Sequence, residues 1–411
     1  MSKISKKAFF AVTVVGLFTS CSSCMVFAYS ESFSLGKGES LFLFKNTEET
    51  LVWESSDESI AQVKNGVAFA KNEGKCKIIA KSCPDGENEQ KKVYEIEVTP
   101  EKKIKRVAYI NNGGNLNIYA ITSSEVNDLE IEIDAKKCTI KNKNKTKSGG
   151  NLFWKVELST ENIKSVDSTC KIFGLTKGKG ERRGSGEFKL KFFGSPKENG
   201  NGEVFEKNIS ENGAKFIMDW EGFVPDLVED RLVPGVYNIG NGDVINFGET
   251  FYNHITKEQA FVDMVSKLNS KNYVKDINSF LKENKIKCTQ QQFDALVSFS
   301  YNLGTNWLKD SGLKNVLLES FEPGKNTRNL NFVNKEQLIK EVLIWHHVIN
   351  SGKKICILGL LYRRISELNL FLHNEYSKEA GRKNEHGYEV SECIMETYEK
   401  RNKAKVVQKK L

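Results

Sequence analysis

Asp219, Glu221, Asp226, Glu229 and Asp230 crowd into the twelve residues "DWEGFVPDLVED", and the glycine-rich "PGVYNIGNG" follows shortly after. Carboxyl groups in pairs can hydrolyse a glycosidic bond. One must be a protonated acid for the leaving oxygen, and the other must stay ionised to activate water or to stabilise an oxocarbenium-like state. Trp220 and Phe223 flank Glu221 and can exclude water from it, which suits the acid role. Asp219, Asp226, Glu229 and Asp230 all remain open for the second role on chemistry alone. The competing reading is a solvated acidic loop.

Other chemistries find less support. "GLTKGKGERRGSG" resembles a phosphate cradle only in its glycines, because Gly178-Lys179 is followed by Gly180 where a Walker loop needs Ser or Thr. A basic hairpin loop is the better reading. There is no HExxH, and the CxxC of Cys21 and Cys24 lies in the leader region. His346 and His347 are adjacent; on a helix they would point about 100° apart and could not share an ion. No metal site and no cofactor are expected. The net charge of +8 favours anionic surfaces without choosing among them.

The first residues address the compartment. Lys3, Lys6 and Lys7 precede an uncharged apolar run from Ala8 to Phe18, and "MVFA" follows with Val26 and Ala28 at small-residue positions. This pattern predicts a secretory signal peptide cleaved after Ala28. The run is short for a permanent span, so no transmembrane helix is expected after cleavage. The alternative is "FTSC", a loose lipobox that would anchor the chain through Cys21. In an exported chain Cys76–Cys83, Cys138–Cys170 and Cys288–Cys356 could pair, leaving Cys393 over.

Three textures follow the leader. From Ser30 to Pro100, short alternating runs with regular turn signals predict a small β-sandwich. Trp53, Ile60, Val63, Val67, Ile78 and Val93 are expected to face inward. "LVWESSDESIAQVKNGVAFAKNEGKCKIIAKS" resembles the bacterial Ig-like group 2 domain: a Trp, Ser-Ser-Asp, an Ile-Ala-x-Val strand, an Asn-Gly turn and a later Gly. Such modules serve as spacers or adhesive units on exported proteins. A second β-rich stretch, with "RVAYI", "NLNIYAIT", "FWKVEL" and "EFKLKFF", reads as another sandwich. "GSPKENGNGE" is a turn-rich linker.

Beyond it the period becomes helical. Thr256 with Gln259, and Thr289 with Gln292, have capping-box spacing. "QQFDALVSFSYNLG" would bury Phe293, Leu296, Phe299 and Leu303, and Gly304 suits a helix stop. "KEQLIKEVLIWHHVI" and "ILGLLYRRISELNLFL" are further helices. Between Glu221 and Phe251 the pattern is instead one of short strands and glycine turns. The charged stretch after Asn374 forms a lone surface helix or none.

"ISENGAKFIMDWEGF", "YNIGNG", "ITKEQAFVDMV", "TQQQFDALVSFSYNLG" and "LLYRRISELNLFL" resemble, in order, the blocks of phage-type lysozymes and endolysins of glycoside hydrolase family 24. The resemblance implies a multidomain fold: N-terminal all-β Ig-like sandwiches, then an α+β lysozyme-like domain, mostly helical with a small β-hairpin lobe. The expected boundaries are a signal peptide at 1–28, the Ig-like domain at 29–100 and a second β-sandwich at 101–197. The lysozyme domain would span 203–375 and a charged tail 376–411. The family spacing of a Glu, eight residues and an Asp selects Glu221 and Asp230. Its Thr before Ile-Gly-x-Gly is Asn238 here, two residues further on than usual, and Asp243 stands where a His often follows. Asn238 can still hydrogen-bond a water. Tyr301 and Asn302 match the aromatic–amide pair of the sugar groove, while Arg363 and Arg364 suit packing and ion pairs.

The activity so implied is an exported muramidase. It would cleave the β-1,4 bond between N-acetylmuramic acid and N-acetylglucosamine, with inversion, although the outcome depends on a carboxyl separation the sequence leaves open. Its partners would be peptidoglycan and the bacterial wall surface, with no nucleic acid, in a secreted, periplasmic or cell-surface location. The alternative is a wall-binding or adhesive protein that keeps the groove without the chemistry.

Overall fold

The computed structural model describes residues 30–43, 51–82, 91–112, 115–159, 167–176, 182–191, 207–230, 235–350 and 353–390. The proposed leader, Cys21, the "GSPKENGNGE" linker and the end of the tail lie outside them. The N-terminal part is built of β-sheets and the C-terminal part is mostly helical with a small β-hairpin lobe. The chain divides into two compact units, Met1–Lys103 with Phe223–Lys257, and Ile104–Gly222 with Glu258–Leu411. Among the described residues no helix is long and apolar enough to cross a membrane.

The first unit contains a two-sheet sandwich. Ser30–Gly36, Lys91–Thr99, Gly74–Ser82 and Leu51–Ser55 form one sheet, in that order, and Ser40–Phe42, Val67–Ala70 and Ala61–Lys64 belong to the other. Leu35, Leu41, Ala61, Ala68, Ile78 and Ile96 fill the space between them. Asn65 and Gly66 both take positive φ, closing the tight hairpin between Lys64 and Val67. Trp53, Ile60 and Val63 pack on this core, and Val67 and Ile78 are buried. Val93 does not join them. Tyr94, Ile96 and Val98 take the inward positions of that strand, and the period of two sends Val93 to the other face.

The hairpin lobe belongs to the same unit. Val224–Glu229, Tyr237–Gly240 and Asp243–Ile245 form an antiparallel sheet. The next strand, Thr250–Phe251, leaves it and pairs with Ser40–Phe42 at the edge of the sandwich.

In the second unit, Ile140–Ser148, Asn151–Leu158, Asn115–Ser123 and Ile104–Asn112 form a sheet whose last three strands carry apolar side chains on both faces, while Ile140–Ser148 is largely polar and exposed. Leu116, Ile118, Ala120, Trp154 and Val156 pack against Leu129, Ile131 and Ile172 of the opposing sheet. The other face, through Ala108, Ile110, Tyr119 and Ile121, joins the core of the helices. Those helices are α1 (Glu211–Glu221), α2 (Lys257–Ser270), α3 (Asn272–Glu283), α4 (Gln290–Leu303), α5 (Gly312–Leu318), α6 (Lys335–Leu343), α7 (Leu358–His373) and α8 (Lys378–Lys383). Polar contacts fix the same junction. Arg106 Nε lies 2.6 and 2.7 Å from the two carboxylate oxygens of Asp263, and Ser148 donates to Glu258 at 3.0 Å.

The caps fall where the sequence placed them at α4: Thr289 and Gln292 form a capping box, and Gly304 ends the helix at φ 76°. At α1, Ser210 Oγ accepts the Gly213 N–H at 2.9 Å and itself donates to the buried Asp294. Asp294 also accepts from Ser210 N–H, Gln290 and Tyr376. Tyr376 and Tyr388 pack on the helical core, so the stretch expected to be a lone helix or none is seated through α8 as far as Val390.

Cys76, Cys138, Cys170 and Cys288 are free thiols and Cys356 is disulfide-bonded, which excludes the three expected pairings. Cys170 pairs with Ile133, while the Cys138 N–H bonds Ile131 from the opposite side of the same strand. That strand therefore separates them by two spacings, about 9.5 Å, beyond the reach of a disulfide. Burial pushes the Cys288 thiol up to about 12.

A Cβ at Gly213 would stand 2.6 Å from Asp294 Cγ and 2.8 Å from Ile209 Cδ1. Gly213→Ala should therefore lower stability by about 1–3 kcal/mol, outweighing the ~1 kcal/mol helix advantage of alanine. A urea midpoint shifted to lower concentration is the check. Glu211 offers a pH test. Burial pushes its carboxyl up, but hydrogen bonds from Lys155, Lys215 and Tyr119 outweigh this and hold it at about 2, against an ordinary 4.5. A depressed acid stabilises fully above its unfolded pKa and loses that contribution as pH falls towards the folded one. The stability gap between the wild type and Glu211→Gln should thus close by about 2 kcal/mol between about pH 6 and about pH 2, as read by calorimetry.

Candidate active site

Glu221 is the last residue of α1, and Gly222 ends the helix with φ 77° and an N–H bonded to Met218 O. Its Oε1 accepts from Arg363 Nη1 at 2.6 Å, with the Glu221 side chain 24% exposed and Arg363 5%. Arg363 comes from the first turns of α7 and is itself held. Its Nε donates to Glu367 Oε1 at 3.2 Å and its Nη2 to Ser298 O at 3.4 Å. Ser298 Oγ donates to the same Glu367 oxygen at 2.8 Å. Beside it, Arg364 ion-pairs with Glu367 and donates to Asn302 Oδ1 at 3.0 Å. Burial lowers the Arg364 pKa to about 10 against the pull of Glu367. Trp220, expected only to exclude water, also carries the Lys378 ammonium 4.9 Å above its ring.

Tyr301 and Asn302 lie on the last turn of α4. The Tyr301 hydroxyl accepts from Lys267 Nζ at 2.7 Å, and its ring packs 5.2 Å from that of Tyr273. Asn302 has its carbonyl oxygen taken by Arg364, which leaves its NH2 as the donor for another group.

Asp230 and Asn238 belong to the other unit. Tyr237–Gly240 supplies Asn238, whose Nδ2 lies 3.4 Å from Asp230 Oδ2, and the Asp230 N–H bonds Val236 O at 2.7 Å. The other acids of the stretch have different engagements. Asp226 Oδ1 is 2.8 Å from His254 Nδ1, and Glu229 Oε1 accepts the Gly235 N–H at 2.8 Å. Asp219 is exposed. Sequence reasoning missed His254, whose isolated bridge to Asp226 has no local sequence signal.

The residues 218–367 match the family model for phage lysozymes. The chain is 32% identical over 170 residues to the endolysin of Bacillus phage B103, covering 41% of this chain and 55% of that protein. It is 28% identical over 165 residues to the endolysin of Lactococcus phage c2, covering 40% and 59%. It thus spans little more than half the length of these curated relatives. Among solved structures, the endolysin of Escherichia coli O157:H7 phage FAHEc1 aligns at 28% identity over 41% of this chain and 96% of that one, with a TM-score of 0.33. By the family match and these relatives' sequences, the C-terminal region is phage-lysozyme-like.

The helix expected through "KEQLIKEVLIWHHVI" is shorter than its pattern suggests. α6 stops at Leu343 and His347 opens a strand, so His346 and His347 are not on one helix. Their ring centroids are 3.7 Å apart, and a ligand atom from each lies within 4.8 Å of Cys356 Sγ. The disulfide at Cys356 occupies that sulfur.

Arg363→Met would take the guanidinium from Glu221 and leave the buried Glu367 with Arg364 and the Ser298 hydroxyl. It should cost about 3 kcal/mol, as for other broken buried pairs, measured by denaturant unfolding.

Proposed function

We propose that the protein is an exported peptidoglycan hydrolase. It cleaves the β-1,4 bond between N-acetylmuramic acid and N-acetylglucosamine. The observation that carries this reading is the placement of Asp230 beside Asn238, within a stretch matching phage lysozymes, while Asp226 and Glu229 are committed to His254 and Gly235.

Glu221 gives its proton to the leaving glycosidic oxygen as the bond breaks. Arg363 grips Oε1 and orients the carboxyl so that Oε2 meets the substrate. Asp230 takes a proton from water attacking the anomeric carbon, and Asn238 positions that water. The Tyr301 ring and the Asn302 amide hold sugar residues. Attack on the face opposite the leaving group gives inversion. The signal peptide exports the chain, and its positive charge favours encounter with anionic wall polymers.

A second reading has its own observation. Asn238 directs its amide at Asp230 at 3.4 Å, a contact that competes with holding water and suits a wall-binding protein without turnover.

Purified peptidoglycan separates the two. Glu221→Gln should reduce clearance of a wall suspension by about 100-fold or more, the scale of losing a general acid. Folding by circular dichroism and sedimentation with insoluble peptidoglycan should be unchanged. Wild-type protein that sediments with the wall but neither clears it nor releases reducing ends, by mass spectrometry, would favour the binder.

A further inference from the structure

Phe42 sits on the edge strand Ser40–Phe42 of the N-terminal sandwich. Its neighbours Leu41 and Leu43 enter the sandwich core, and strand alternation turns Phe42 the other way. A phenylalanine on an outer face would ordinarily be wet, yet Phe42 is only 3% exposed. Its ring centroid lies 5.2 Å from that of Tyr237 in the hairpin lobe.

We propose that the N-terminal sandwich, through Phe42, is a positioning element for the hairpin that carries Asp230 and Asn238; this rests on the hydrolase reading above. Tyr237 stands opposite Glu229 in the hairpin ladder. Asp230 and Asn238 are the next residues along those two strands, so a ring seated on Tyr237 acts one residue from each. The backbone of Phe42 holds the lobe as well. Its N–H donates to Glu249 O at 3.2 Å, and its carbonyl accepts the Gly248 N–H at 2.7 Å. A further contact follows at Phe247, whose ring meets Phe33 edge-on at 6.2 Å. Gly248, at φ +74°, passes so near Phe33 that a Cβ would come within 3.2 Å of its ring.

The lobe needs such support because it is too small to make a core. Ile239, Ile245, Phe251 and Ile255 are the buried apolar side chains of this segment among the described residues, and Phe251 is already paired to Ser40. A three-stranded sheet with so little to bury takes its rigidity from what it packs on.

The test uses the full chain with Phe42→Ala and Phe42→Leu. Phe42→Ala should lower kcat on soluble peptidoglycan fragments by about 10- to 100-fold with KM within about twofold, as expected when a catalytic group is misplaced by around an ångström. Phe42→Leu should restore most of the rate. Hydrogen exchange at Tyr237–Gly240 should quicken about tenfold in Phe42→Ala, with exchange in α4 and in the strand Gly74–Ser82 unchanged. Hairpin exchange equal to wild type overturns the proposal. So does faster exchange spread equally through the sandwich, or a loosened hairpin with unchanged kcat. If the wild type cleaves nothing, the hydrolase reading fails by itself, and the exchange pattern still decides whether Phe42 holds the hairpin.

Discussion

A sheet with two apolar faces must be covered on both. In the second unit one face of the Ile104–Asn112, Asn115–Ser123 and Asn151–Leu158 strands closes a sandwich, and the other closes the helical core. Tyr119 shows the constraint at one side chain. Its ring packs edge-on against Phe261 of α2 at 5.1 Å, and its hydroxyl donates to Glu211 at the start of α1. Removing the sheet would expose Phe261 to water and break the clamp on Glu211, so the helices that carry Glu221 depend on it. At about 25 cal/mol per Å2 of apolar surface, the aromatic rings of the junction add to what its part-buried ion pairs contribute.

The same logic governs the other unit on a smaller scale. Three short strands bearing Asp230 and Asn238 cannot exclude water alone, and the chain borrows a sheet edge and two phenylalanines from the N-terminal sandwich. A module of this resemblance is expected to act as a spacer or an adhesive unit. Here the strand pairing of Thr250–Phe251 with Ser40–Phe42 makes it part of the lobe's own architecture.

Around Glu221 the chemistry is set by buried charge. Arg363, Arg364 and Glu367 are nearly inaccessible, and two guanidinium groups converge on a single carboxylate. Such a cluster costs desolvation energy. It gives in return a fixed Arg363, whose Nη1 meets Glu221 without freedom to swing away. Rigidity of this kind suits the proton-donor role proposed for Glu221, because the last turn of an isolated helix frays.

Much was legible locally. Thr289, Gln292 and Gly304 marked α4 because capping depends on residues within one turn. Asn65-Gly66 marked a hairpin because few residues accept positive φ. The run "NLNIYAIT" marked a strand of a second sandwich, but nothing in it announced that the helical core would cover its other face. Misreadings arose where distant partners decide. Val93 faces outward because register is fixed across strands. The thiols stay apart because a strand intervenes between Cys138 and Cys170. The paired histidines meet because α6 ends before them. The sequence by itself determined most element types, the caps of α4 and the acids available for chemistry, since these follow from spacing along the chain. Only the tertiary structure decided that Arg363 grips Glu221, that Asn238 turns to Asp230 and that Phe42 seats Tyr237. Those contacts join residues 142, 8 and 195 positions apart, and long-range packing leaves no periodic trace in a one-dimensional pattern.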